Sequence, residues 1–213
     1  LVRCEDEHTE SLAEEDYWAS AAEYADSLGV DVINSSLGYH DFDDVKTNHL
    51  YWEQDGETAL ISHTASMCAD KGIICVNSAG NDGMGVWKKI NFPADAKDIL
   101  TVGSINEQGK NAAFSAVGPT ADGRIKPDVM AFGSPASVIT GRGAIINDNG
   151  TSFSSPLIAG MTACLWQALP HKTAKQIIKL VKMAGNNQQH PDNIYGYGVP
   201  DFWKAYQTGK AIK

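Results

Sequence analysis

The sequence predicts an α/β fold, a mainly parallel sheet covered by helices on both faces. Three observations carry that expectation. The strand candidates read as short continuous apolar runs, as strands buried on both faces do. They alternate with segments of helical period, the pattern of crossover-connected parallel strands. No internal repeat, low-complexity tract or linker interrupts the 213 residues, a length that fits one domain with a sizeable core.

Taken in order, Leu1 to Cys4 is a short apolar start readable as the end of a strand, followed by the acidic segment from Glu5 to Glu10. Ser11 and Glu14 have capping-box spacing, and Trp18, Ala21, Ala22, Ala25 and Leu28 recur on one helical face before Gly29 ends the helix. Val30 to Leu37 is a β-rich run that ends in Ser36-Leu37-Gly38. The polar and aromatic stretch from Tyr39 to Glu57 reads as a solvated loop. Asp41, Asp43 and Asp44 within it lack the spacing of an EF-hand, so no metal is assigned. A helix from about Thr58 to Lys71, stopped by Gly72, leads into the strand Ile73 to Val76. Further strands are expected at Ile99 to Ile105, Asp128 to Phe132 and Ser137 to Thr140. Thr173 and Gln176 form a second capping box ahead of Ile177, Ile178, Val181 and Ala184, and Pro200 is placed to open a last helix carrying Phe202, Trp203 and Tyr206.

Composition narrows the function classes. A net charge of −9 and a pI near 5.0 argue against nucleic acid as the partner, which needs a basic footprint. No apolar run approaches the roughly 20 residues of a membrane span, so no membrane partner is expected. Cys4, Cys68, Cys75 and Cys164 show no C-x-x-C spacing and sit in apolar or small-residue settings, the pattern of free buried thiols. No cofactor is indicated.

Chemistry concentrates at Gly150-Thr151-Ser152-Phe153-Ser154-Ser155-Pro156, ahead of the small-residue run Leu157 to Leu165. A helix starting here would set the Ser152 hydroxyl at its positive end, where an oxyanion is stabilised. Thr151 or Ser152 would also serve as an ordinary N-cap, and the seven residues alone leave both readings open. The strand Ile73 to Asn77 ends in Ser78-Ala79-Gly80-Asn81-Asp82-Gly83, which by itself reads as a tight turn.

Together these stretches resemble the subtilisin-like serine peptidases. The Gly150 to Pro156 string matches that family's nucleophile motif, and the resemblance implies Ser152 as nucleophile and the Asn81 side chain as oxyanion donor. Ser36, Leu37 and Gly38 match the family's Ser-Leu-Gly strand end. With Ser78, Ala79 and Gly80 they would border the substrate pocket, where main-chain hydrogen bonds hold an extended polypeptide. Weaker matches fall on Phe114-Ser115, Lys126-Pro127-Asp128-Val129 and Gly196-Tyr197-Gly198. Phe132 and Leu157 depart from the pattern at positions without catalytic duty.

The resemblance also exposes a gap. A serine nucleophile needs a base, and an imidazole base needs an acid to orient it. The family's His-Gly-Thr and Asp-(Thr/Ser)-Gly motifs have no match. The six histidines are followed by Thr9, Asp41, Leu50, Thr64, Lys172 and Pro191, and Asp55-Gly56, Asp82-Gly83 and Asp122-Gly123 read as turns. The expectation is that residues 1–213 form the C-terminal part of a serine endopeptidase catalytic domain, incomplete at its N-terminus and inactive alone. The family would place it outside the cytoplasm, and an exposed sheet edge would favour self-association. The alternative is a peptide-binding scaffold that dispensed with the triad. The related sedolisins use an Asp oxyanion donor where this chain has Asn81, and an α/β-hydrolase elbow needs glycine where Ser154 stands.

Overall fold

The computed structural model describes residues 1–6 and 8–212. Four strands, β1 (Val32–Ser35), β2 (Ile74–Ser78), β3 (Leu100–Asn106) and β4 (Val129–Ser134), form one parallel sheet in the order β1-β2-β3-β4. Register pairs Val32 with Ile74, Val76 with Leu100 and Val102 with Val129. Among the described residues five α-helices accompany it: α1 (Ala13–Ser27), α2 (Leu60–Met67), α3 (Thr151–Ala168), α4 (Ala174–Met183) and α5 (Phe202–Ala211).

Strand alternation explains the two layers, because successive side chains point to opposite faces. Ile74 and Val76 join Leu100, Val102, Val129, Ile158, Ile177 and Val181 in a core beneath α3, α4 and α5. Cys75 and the half-buried Ile33 face the other way, packing with Trp18, Ala22, Ile61, Ala65 and Phe92 beneath α1 and α2. The capping box at Thr173 forms as the spacing predicts, with the hydroxyl accepting from Gln176 N and the Gln176 side chain accepting from Thr173 N.

Several local expectations need correction. Leu1 to Cys4 is not a strand. The Ser11 box does not form: Leu12 caps α1, and the Glu14 carboxylate instead accepts from Asp6 N at 2.8 Å, tying the acidic segment to the helix. A hairpin of β5 (Ala136–Ile139) and β6 (Ile145–Asp148) stands where only its first strand was expected. The second strand escapes periodicity because it is exposed along its length. Asp201, not Pro200, opens α5, its carboxylate accepting from Lys204 N. All four cysteines are free, but Cys164 is exposed on the outer side of α3.

Candidate active site

Ser152 is the second residue of α3, and neither it nor Thr151 caps the helix through its own side chain. Gly150 occupies the cap position, with its N–H on the Gly133 carbonyl at 3.1 Å. A side-chain carbon at Gly133 would come within 2.6 Å of the Gly150 carbonyl oxygen, so that glycine is required by close approach. The capping oxygen comes from another strand end. Asn81 Oδ1 accepts from both Thr151 N and Thr151 Oγ1, each at 3.0 Å. The Thr151 hydroxyl in turn accepts from Gly80 N at 3.2 Å.

That arrangement fixes the amide. With Oδ1 committed to the helix, Asn81 Nδ2 is left without an acceptor among the described residues, as is the Ser152 N–H. The two unengaged donors thus belong to residues that line the same cleft as the Ser152 hydroxyl, which sits at the positive end of an 18-residue helix.

Pro156 shapes the same turn. Having no N–H, it cannot donate to the carbonyl four residues back, which is that of Ser152. The Ser36 hydroxyl takes the vacant place, donating to Ser152 O at 3.0 Å. The exchange is reciprocal, since Ser152 Oγ lies 3.4 Å from Ser36 O. Asn34 braces the pair, accepting from Ser155 Oγ at 2.8 Å and donating to Ser36 Oγ at 3.4 Å. The end of β1 and the start of α3 are therefore stitched across 116 residues of sequence.

Ser36, Leu37, Gly38, Ser78, Gly80, Asn81 and Ser152 all line one cleft of about 310 Å³. Ala79 does not: it is fully buried behind the wall, donating to Val102 O and accepting from Asn91 N. Glu5, Glu10, Asp82, Asn91 and Thr151 complete the lining. In the sequence Asp82 reads as a turn residue, Glu5 to Glu10 as an acidic segment, and Asn91 as nothing in particular. No local signal marks them, because each reaches the cleft through tertiary packing.

Among the described residues the Ser152 hydroxyl has no imidazole partner. His8, His63, His171 and His190 are exposed, and His40 stacks on Trp87 with ring centres 4.7 Å apart. His49 was expected in a solvated loop but is nearly buried, 4.3 Å from the Phe92 ring centre and bonded to Glu15 and Glu53. Burial alone would depress its pKa; the hydrogen bonds and charges of Glu15 and Glu53 more than offset this and hold it above the ordinary value.

Comparison with known proteins bears on the fold and the family. The solved structures of the prenylagaramide maturation protease PagA and of the self-cleaved protease domain of PatA superpose with TM-scores of 0.71 and 0.73. At 20% and 22% identity they cover 93% and 92% of this chain, and 69% and 68% of their own, which establishes a shared fold. The subtilisin-like protease SBT6.1 of Arabidopsis thaliana is 30% identical over 211 residues, and the membrane-bound transcription factor site-1 protease of Homo sapiens 28% identical over 207. Both alignments take in 92% of this chain but only 19% and 18% of those longer proteins. Subtilisin DY of Bacillus licheniformis is 29% identical over 170 residues, 79% of this chain and 54% of its own length. The subtilase family model matches residues 6–198, and on that match the chain belongs to the subtilase family.

Proposed function

We propose that this chain carries the nucleophile, the oxyanion donors and one wall of the substrate cleft of a serine endopeptidase. Ser152 Oγ attacks a peptide carbonyl, and the developing oxyanion is received by the Ser152 N–H and Asn81 Nδ2. Preorganised donors of this kind stabilise a transition state because they need no reorientation as charge develops. The strand ends Ser36–Gly38 and Ser78–Gly80 hold the substrate backbone. The observation that carries the reading is Asn81, whose oxygen is fixed to the helix while its nitrogen stays unengaged.

The histidine and aspartate that would manage the proton come, in this reading, from outside these 213 residues. The hydroxyl of Ser152 then remains a poor nucleophile in the isolated chain. A fluorophosphonate probe should label the full-length protein at Ser152, fail on Ser152→Ala, and label the isolated chain roughly 10⁶-fold more slowly, the order of loss when a triad loses its histidine. Equal labelling of chain and full-length protein would refute the missing base. The lack of an imidazole beside Ser152 also supports a second reading, a non-catalytic peptide-binding module, for which the full-length protein would resist the probe as well. Placement outside the cytoplasm is part of the first reading; one similar protein of Bacillus subtilis is named minor extracellular protease Epr. No helix among the described residues is long and apolar enough to cross a membrane.

A further inference from the structure

Asn77 is a polar side chain inside a strand that is otherwise packed for burial. It is fully buried near the end of β2, on the face that turns Cys75 toward the apolar layer beneath α1 and α2. Its amide is only half satisfied. Nδ2 donates to Leu37 O at 3.2 Å and to Ser78 O at 2.8 Å, whereas Oδ1 is buried with no partner among the described residues. Two carbonyls can be faced only by the nitrogen, which fixes the amide orientation. A buried acceptor without a donor is unfavourable, so fold stability alone is a weak reason for an asparagine here.

The two acceptors supply a better one. Leu37 belongs to the Ser36–Gly38 wall of the cleft and Ser78 to the Ser78–Gly80 wall, and both residues line it. One nitrogen therefore ties a carbonyl of each wall to the same point. The tie holds the Leu37 carbonyl inward, against β2. On one side of it, Ser36 O lies 3.4 Å from Ser152 Oγ. On the other, the main-chain N–H and C=O of Gly38 have no partner among the described residues. Gly38 is also held from behind, because the Cβ of Asn91 lies 2.8 Å from the point where a side-chain carbon on Gly38 would sit.

We propose that Asn77 is a positioning residue for the polypeptide substrate: by fixing the Leu37 and Ser78 carbonyls it sets the spacing of the two walls and keeps the Gly38 N–H and C=O available to pair with an extended main chain. This rests on the endopeptidase reading only for the identity of the ligand as a polypeptide. Asn77 touches no reacting atom. Without its tie the Leu37–Gly38 peptide is free to rotate, and the wall has to be ordered at each binding event, which weakens binding. A small electrophile that meets only Ser152 needs neither wall.

The test compares Asn77→Leu, which keeps the branching of the side chain without its polar atoms, with the parent in the full-length protein. Binding is read by anisotropy of a fluorescein-labelled mixture of extended peptides, on proteins that also carry Ser152→Ala. Reactivity is read by fluorophosphonate labelling with Ser152 intact. Asn77→Leu should bind the peptides about 10-fold more weakly, the order of a net main-chain hydrogen bond, while labelling falls by no more than about 2-fold. Asn77→Ala, which adds no volume, should show the same split. N-methylation of the peptide main chain should weaken binding to the parent, and weaken it less in Asn77→Leu. Unchanged binding in both variants, equal losses of binding and labelling, equal sensitivity to N-methylation, or no peptide binding by the parent would overturn the proposal. A labelled parent whose peptide binding survives Asn77→Leu sinks this inference alone. An unlabelled parent whose peptide binding weakens in Asn77→Leu sinks the endopeptidase reading alone.

Discussion

The two faces of the sheet are held by different physics. Beneath α3, α4 and α5 the packing is apolar volume, from Ile74 and Val76 to Ile177 and Val181, all fully buried. Charge enters just before β4, where Asp128 accepts from Lys126 Nζ and Lys182 Nζ at 2.7 Å each, and from Thr101 N at 2.9 Å. Beneath α1 and α2 the apolar cluster is interleaved with buried polar pairs. Trp18 Nε1 donates to Ser35 Oγ, Ile61 N to Glu15, and Ser62 Oγ and Gly56 N to Asp95. The contrast teaches that one layer is specified by size and the other by direction. Hydrogen bonds on the second face help to pin the long 39–57 segment, in which Tyr39 and Phe42 reach the apolar cluster.

The faces should also respond to pH with opposite sign. For Asp128, burial alone would raise the pKa, but the Lys126 and Lys182 charges hold it well below the ordinary carboxylate range. A depressed carboxylate gives stability that is present above the unfolded value near 3.9 and is lost as pH falls. His49 and Asp95 are both raised, His49 by its glutamates against burial and Asp95 by burial against its hydrogen bonds. Raised groups give stability that is complete below their unfolded values and fades as pH climbs through the folded ones.

The largest effect should come from breaking the charged anchor of the apolar face. Asp128→Ala leaves Lys126, 3% exposed, with a buried and uncompensated ammonium, and should cost about 3–5 kcal/mol in urea denaturation. The same variant should lose much of the acid limb of the stability profile. A cost under about 1 kcal/mol would mean that apolar packing holds that face unaided. On the other face, His49→Gln keeps a polar group but removes the imidazolium between Glu15 and Glu53. It should cost about 1–3 kcal/mol below pH 6, the worth of hydrogen bonds to charged groups. In the parent protein the denaturation midpoint should fall as pH rises from about 6.5 through the folded value of His49, and in the variant that slope should flatten. Identical profiles would remove His49 from the account of this face.

The same contrast separates what the sequence discloses from what it conceals. Ile74 to Val76 and Leu100 to Val102 announce buried strands because β-branched and apolar residues run through both, each run directly after a segment that ends in a turn. Ser152 and Asn81 stand out only through the family resemblance of their motifs, since by itself one stretch reads equally as a helix cap and the other as a tight turn. Glu15, His49 and Asp95 are not legible. A glutamate in the first turn of a helix is a common surface choice, and nothing near Glu15 in sequence indicates His49, 34 residues on. Asn91 is hidden for the same reason, since its meaning depends on Gly38 and Gly80 approaching it from two other segments.

The helix α3 belongs to the apolar face, yet its first turn is held in the manner of the other one. Pro156 withholds the backbone donor that the Ser152 carbonyl would otherwise receive, and Ser36 Oγ replaces it. If that is why Ser36 matters, its contribution depends on the proline. Ser36→Ala should cost about 1 kcal/mol in the parent protein, a single net hydrogen bond. In a Pro156→Ala background the helix regains its N–H, so the same Ser36→Ala change should cost only a few tenths of a kcal/mol. Urea denaturation of the four proteins in this cycle reads the coupling directly. Equal costs in both backgrounds would show that Ser36 acts through some contact other than the Ser152 carbonyl, and that the turn bearing the candidate nucleophile is set by the apolar packing of α3 alone.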